Sequence, residues 1–192
     1  MTKPPISPLP LALVMNNHLR NLHRFTKPLF KRLPIIAPRL NSTFGYLADI
    51  GTMGAAQNQV EFFKTGKFAV VGASADRSKY GNKVFRWYLD HNLPVVPINP
   101  KSPTIESHQT RASLSDLPCP SEYALSIITP PKVSSSVIAE AASLGIKNVW
   151  MQPGSDSPEV VALAREKGMN VIAGGPCILV SGEDAMKAAA KL

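Results

Sequence analysis

The sequence predicts an α/β protein with a doubly wound parallel sheet of about five strands, in the order 3-2-1-4-5, and helices on both faces. Two observations carry that prediction. From Gly54 onward, short apolar runs alternate with longer amphipathic stretches. The runs are continuous in Val and Ile, as strands buried on both faces require. Alternation of this kind implies a parallel sheet, and right-handed crossovers leave few topologies. The second observation is that the first strand ends in Gly72-Ala73-Ser74 and leads into a helical pattern, the arrangement in which such folds cradle phosphate.

Taken in order, residues 55–65 read as a lead-in helix with Val60, Phe62 and Phe63 apolar. Strand 67–72, helix 81–91 and strand 94–98 follow, then a polar loop to about 112 and a one-turn helix at 113–117. Strand 122–128, helix 131–144, strand 147–151, helix 157–168 and strand 170–173 continue the alternation. Pro130 and Pro131 suit a helix start, where a missing N–H is tolerated. Ser155 and Asp156 read as a helix cap, and Trp150 as core. A Gly174-Gly175-Pro176 turn precedes a last helix at 183–191. The chain has no internal repeat.

At 192 residues the chain is long for one domain, and its charge marks an appendage. Residues 1–48 hold seven Lys or Arg and no acid, while 49–192 hold 14 basic and 13 acidic residues. The expected division is therefore a basic, proline-rich extension at 1–53 and a folded domain at 54–192. Leu11, Val14, Met15, Leu19, Leu22 and Phe25 fall near helical spacing among Arg20, His23, Arg24 and Lys27, a pattern resembling a mitochondrial presequence. A disordered tail and a start at Met53 are the competing readings, so mitochondrial matrix and cytoplasm both stay open. The near-neutral body argues against nucleic acid, and no apolar run reaches the roughly 18 residues of a membrane span. Cys119 and Cys177 lie far apart, with no metal-ligand cluster around them. Homo-oligomers and protein partners stay open.

Ligands of open parallel sheets bind beyond the carboxyl ends of the strands. Here those ends offer Gly72, Ala73 and Ser74; Asn99, Pro100 and Lys101; Thr129, Pro130 and Pro131; Gln152, Pro153 and Gly154; and Cys177 after the last strand. Arg77 and Lys79 add cations to the first loop. The spacing departs from G-x-G-x-x-G, since Ser74 and Arg77 replace two glycines and the next glycine is Gly81. After the second strand an NAD protein places an acid for the ribose 2′-OH, whereas this chain has Asn99 and Lys101. A phosphorylated ribose follows, and with it coenzyme A or NADP. Each residue also has a structural reading: a tight turn at Gly72, a solvated Lys101, a helix start at Pro130-Pro131.

Val70 to Ser74, Pro97 to Lys101, Thr129 to Pro131 and Trp150 to Gly154, in that order, resemble the small stand-alone CoA-binding proteins, a Rossmann-like family similar to the first domain of the succinyl-CoA synthetase α subunit. The resemblance covers about 65–182. It implies that the first loop meets the pyrophosphate, the Asn99-Pro100-Lys101 turn the ribose phosphate, and the Pro130-Pro131 loop the adenine or the pantetheine arm. The chain departs from the family at Gly175-Pro176-Cys177, where bacterial members tend to read Asp-Arg-Cys.

The synthetase's phosphorylated histidine lies in a domain that the resemblance does not cover. No His, Asp or Glu at a strand end reads as a general base. The expectation is a protein that binds CoA or acyl-CoA, more a binding module than an enzyme. The alternatives are an NADP-dependent oxidoreductase and a thiol-redox protein using Cys177.

Overall fold

The structure, a computed structural model, describes residues 54–192; the basic extension and the proposed Met53 start lie outside the described residues. Five parallel strands form the central sheet: β1 (Phe68–Val71), β2 (Val95–Ile98), β5 (Ala124–Ile127), β6 (Asn148–Met151) and β7 (Asn170–Ile172). Their spatial order is β2-β1-β5-β6-β7. Counted over these five, that is 2-1-3-4-5, which corrects the expected 3-2-1-4-5.

Pro97 supplies the physical reason. Phe68 N–H donates to the Pro94 carbonyl and Gly72 N–H to the Ile98 carbonyl, so residues of even number in β2 face β1 and Pro97 faces outward. A further strand on that side would need an N–H that proline lacks, which restricts Pro97 to an edge. The edge is covered instead by Arg111, whose N–H donates to the Pro97 carbonyl (3.0 Å) and whose carbonyl accepts from Asn99 N–H (2.9 Å).

Helices cover both faces. On one side α3 (Pro131–Ser143) and α4 (Pro158–Glu166) pack Val137, Ile138, Ala141, Val160 and Ala164 onto Ala69, Val71, Leu125, Ile127, Val149 and Met151. On the other, α1 (Ala55–Lys64), α2 (Tyr80–Asp90) and α5 (Ile178–Ala189) enclose Phe68, Val70, Ala124, Trp150 and Ile172. Alternate strand residues thus feed two separate cores, which is why the strands read as unbroken apolar runs. Trp150 is fully buried, with the Phe62 ring edge-on at 5.4 Å.

Three local features differ from the expectations. Helix α5 begins at Ile178, five residues before the expected start, and continues through Gly182. A Cβ at Gly182 would lie 2.8 Å from Trp87 Cζ2, so this glycine lets α5 approach α2 and does not end a helix. The polar loop contains a hairpin, β3 (Thr104–Ile105) with β4 (His108–Gln109). Its turn residues Glu106 and Ser107 both have positive φ (46° and 65°), a conformation usually announced by Asn-Gly. The cap of α4 is Ser157, whose hydroxyl accepts from Val160 N–H, and not Ser155 or Asp156. Asp156 instead accepts from Gly174 N–H at 2.9 Å.

Candidate functional site

A cleft of about 630 Å³ opens where β1, β2 and β5 end, on the α3 side of the sheet. This is the point at which strand order reverses: the chain leaves β1 for β2, then returns past β1 to β5. Gly72, Ala73, Ser74, Lys79, Asn99, Pro100, Lys101, Thr129 and Pro130 line it, as the sequence led us to expect.

Two glycines shape the first loop, and one of them, Gly72, lines the cleft. Gly72 has φ +87°, and a Cβ there would lie 3.1 Å from Thr129 Cγ2. Gly81 lies nine residues on, and a Cβ there would fall 2.1 Å from the Gly72 carbonyl oxygen. That contact gives Gly81 the close helix-to-strand packing of the third glycine in a dinucleotide loop, reached through a longer connection. The N–H groups of Ala73 and Ser74 hydrogen-bond to no other described residue. They stand at the N-terminus of α2, a favourable place for an anion.

The loop is held from two sides. Asn99 donates from Nδ2 to the Ala73 carbonyl (2.7 Å) and accepts Lys101 N–H at Oδ1 (2.7 Å), so one side chain joins the first and second loops. Asn82, fully buried, donates to the Ser74 carbonyl (2.8 Å) and to Glu106 Oε1 (2.9 Å), and accepts from Arg86 Nε (2.9 Å). The Asn82 amide, and after it the Arg77 guanidinium, hold the Glu106 carboxyl below its ordinary pKa. Asp76, in the same loop, turns its carboxylate onto Ser78, whose hydroxyl and N–H lower its pKa.

The three expected cations separate. Arg77 makes a two-pronged ion pair with Glu106 (3.0 Å for each contact) and does not line the cleft. Lys79 and Lys101 do line it, and neither forms a salt bridge among the described residues. Two uncommitted ammonium groups beside unpartnered N–H donors are groups with the chemistry to hold a phosphate.

Residues 66–183 match the family model described as CoA binding domain. The chain belongs to that family. It is similar to the α subunit of an ADP-forming acetate–CoA ligase from Pyrococcus furiosus, 26% identical over an alignment 128 residues long that covers 61% of this chain and 28% of the ligase subunit. Among solved structures it resembles a conserved hypothetical protein from Pyrococcus furiosus, with 34% identity and a TM-score of 0.57 over 60% of this chain and 97% of the other. A Thermus thermophilus protein matches at 28% identity with a TM-score of 0.61, over 69% of this chain and 99% of its own. The chain thus spans well under a third of the curated ligase subunit but nearly the whole of these small structures.

Pro131, Gln152, Pro153, Gly154 and Cys177 stand outside the cleft lining of this CoA-binding domain. The corrected strand order explains most of that: β5, not β6, lies beside β1, so the turn after β6 is displaced from the switch point. Gln152 is buried and accepts Ile178 N–H at Oε1 (3.0 Å), which anchors the start of α5. Cys177 is the N-cap of that helix. Sequence reasoning passed over Ala112, Ser113 and Leu114, and Val133, Val137 and Glu140 of α3. The last three are spaced i, i+4 and i+7 on one helix face, a visible pattern. Which side of the sheet α3 would cover was not visible.

Proposed function

We propose that the cleft binds coenzyme A, free or acylated, and performs no catalysis of its own. The observation that carries this reading is the pair of uncommitted lysines: Lys79 flanks the loop where a pyrophosphate would lie, and Lys101 follows β2 where a ribose phosphate would lie. Family membership supports coenzyme A over NADP as the phosphorylated nucleotide. Among the described residues the cleft lining includes no histidine or cysteine, and its carboxylate, Glu140, accepts two backbone N–H groups, so these residues favour holding a ligand over moving protons.

Lys101 provides the test. Wild type should bind CoA more tightly than dephospho-CoA by about 1–2 kcal/mol, roughly 5- to 30-fold, the scale of one partly exposed charge-assisted contact. Lys101→Ala should remove most of that preference and leave dephospho-CoA binding nearly unchanged, so the two losses are not additive in calorimetric titrations. Equal affinity of wild type for both ligands would refute the role of Lys101. Tight NADPH binding with no CoA binding would refute the reading as a whole. We further place the protein in the mitochondrial matrix or the cytoplasm, on the acid-free residues 1–48; imaging of a tagged full-length chain decides between them.

A further inference from the structure

Two consecutive peptide planes of the first loop are gripped from their carbonyl sides. Asn99 Nδ2 donates to the Ala73 carbonyl (2.7 Å) and Asn82 Nδ2 to the Ser74 carbonyl (2.8 Å). A trans peptide carries its N–H opposite its C=O, so these bonds turn the N–H groups of Ser74 and Ala75 to the other side of the chain. Neither N–H has a partner among the described residues.

The Asn82 grip depends on which way its amide faces. Turned over, the fully buried side chain would set Oδ1 against the Ser74 carbonyl, two acceptors with no proton between them. Two groups hold it as observed: Arg86 Nε donates to Oδ1, and Glu106 Oε1 accepts the second Nδ2 hydrogen (2.9 Å each). Glu106 comes from the turn of the β3–β4 hairpin, 24 residues further along the chain, and is itself held by both prongs of Arg77. Its φ of +46° lies in the left-handed region that few non-glycine residues adopt. The hairpin thus keeps a disfavoured backbone at the residue whose carboxylate reaches Asn82.

We propose that Glu106 is a positioning residue for the phosphate loop. It stands outside the cleft lining, but its carboxylate locks the Asn82 amide in the orientation that holds the Ser74 carbonyl, and so aims the loop N–H groups at the nucleotide's diphosphate. The proposal rests on the nucleotide reading of the cleft. It divides the work between two ends: the hairpin sets the diphosphate end through Asn82, and Lys101 meets the ribose phosphate.

The test titrates CoA and dephospho-CoA into the full chain by calorimetry. Glu106→Met keeps the length of the side chain and removes its acceptor. It should weaken binding of both ligands by about 10-fold, the scale of one hydrogen bond released at the loop, and leave the preference between them as in wild type, because Lys101 is untouched. Glu106→Gln returns an acceptor oxygen to Asn82 and should recover most of that loss. Asn82→Ala should weaken CoA binding as Glu106→Met does, and the two together should lose no more than either alone. Wild-type affinity in Glu106→Met, a preference that collapses with the affinity, no recovery in Glu106→Gln, or additive losses would each overturn the proposal. If Asn82→Ala does not fold, the two Glu106 substitutions decide alone. A wild type that binds neither ligand removes the nucleotide reading and this proposal together.

Discussion

Tyr88 and Ser126 are both fully buried, and their hydroxyls lie 2.8 Å apart across the α2-facing core. Burial raises the Tyr88 pKa far above that of an ordinary phenol, so it remains a neutral hydrogen-bonding group. Each hydroxyl is the other's partner, and deleting one leaves the other desolvated without compensation. Tyr88→Phe should therefore cost about 1–3 kcal/mol, and adding Ser126→Ala should restore much of it, because removing both polar groups is nearly neutral. Urea unfolding of the two variants checks this; a double variant no more stable than Tyr88→Phe would contradict it. Residues of this kind were only half legible. Trp150 announces a core by its bulk, but a serine inside a strand carries no sign that a tyrosine 38 positions earlier will meet it. The same holds at the cleft, where Asn99 was recognisable from its place after β2 while the hydrogen bond its amide donates to the Ala73 carbonyl was not.

Between elements, Glu106 joins three pieces of chain: the β3–β4 hairpin that carries it, Arg77 of the first loop, and Asn82 of α2. Its folded pKa is depressed, first by the Asn82 amide and then by Arg77. A depressed carboxyl contributes stability that is present above its unfolded pKa, near 4.3, and is lost as pH falls through the lower folded value. Glu106→Gln should therefore be less stable than wild type at pH 7, and the gap should narrow as the pH drops below about 4. Thermal unfolding at several pH values measures it, and a gap that stays constant or widens in acid would count against the ion pair. The same contacts set the first loop, because Asn82 also holds the Ser74 carbonyl. The hairpin escaped sequence reading because Glu106-Ser107 lacks the glycine that usually marks such a turn. Tertiary hydrogen bonds hold a conformation that local preference disfavours.

For the molecule as a whole, the family match begins at residue 66, yet the fold begins earlier. Helix α1 packs against α5, buries Phe62 and Phe63, and places Asn58 where it donates to the Val171 carbonyl and accepts from Asn170 along the β7 edge. Removing it would expose Phe68, Trp150 and an open sheet edge. A fragment starting at Met53 should unfold in one cooperative transition, whereas one starting at Gly66 should melt lower or aggregate. Equal melting temperatures would show α1 to be dispensable. What the sequence determined by itself was local: which runs are strands, that they are parallel and doubly covered, and that Gly72 to Ser74, Asn99 to Lys101 and Thr129-Pro130 sit at strand ends, since strand and helix periods and turn residues are properties of neighbours along the chain. Strand order was decided only by tertiary structure. It follows from which edge could do without an N–H at Pro97 and from how the apolar faces pair, and it brought Glu140 into the cleft and left Gln152 and Cys177 outside. A local pattern states what a residue turns inward, while only the assembled sheet states what stands opposite.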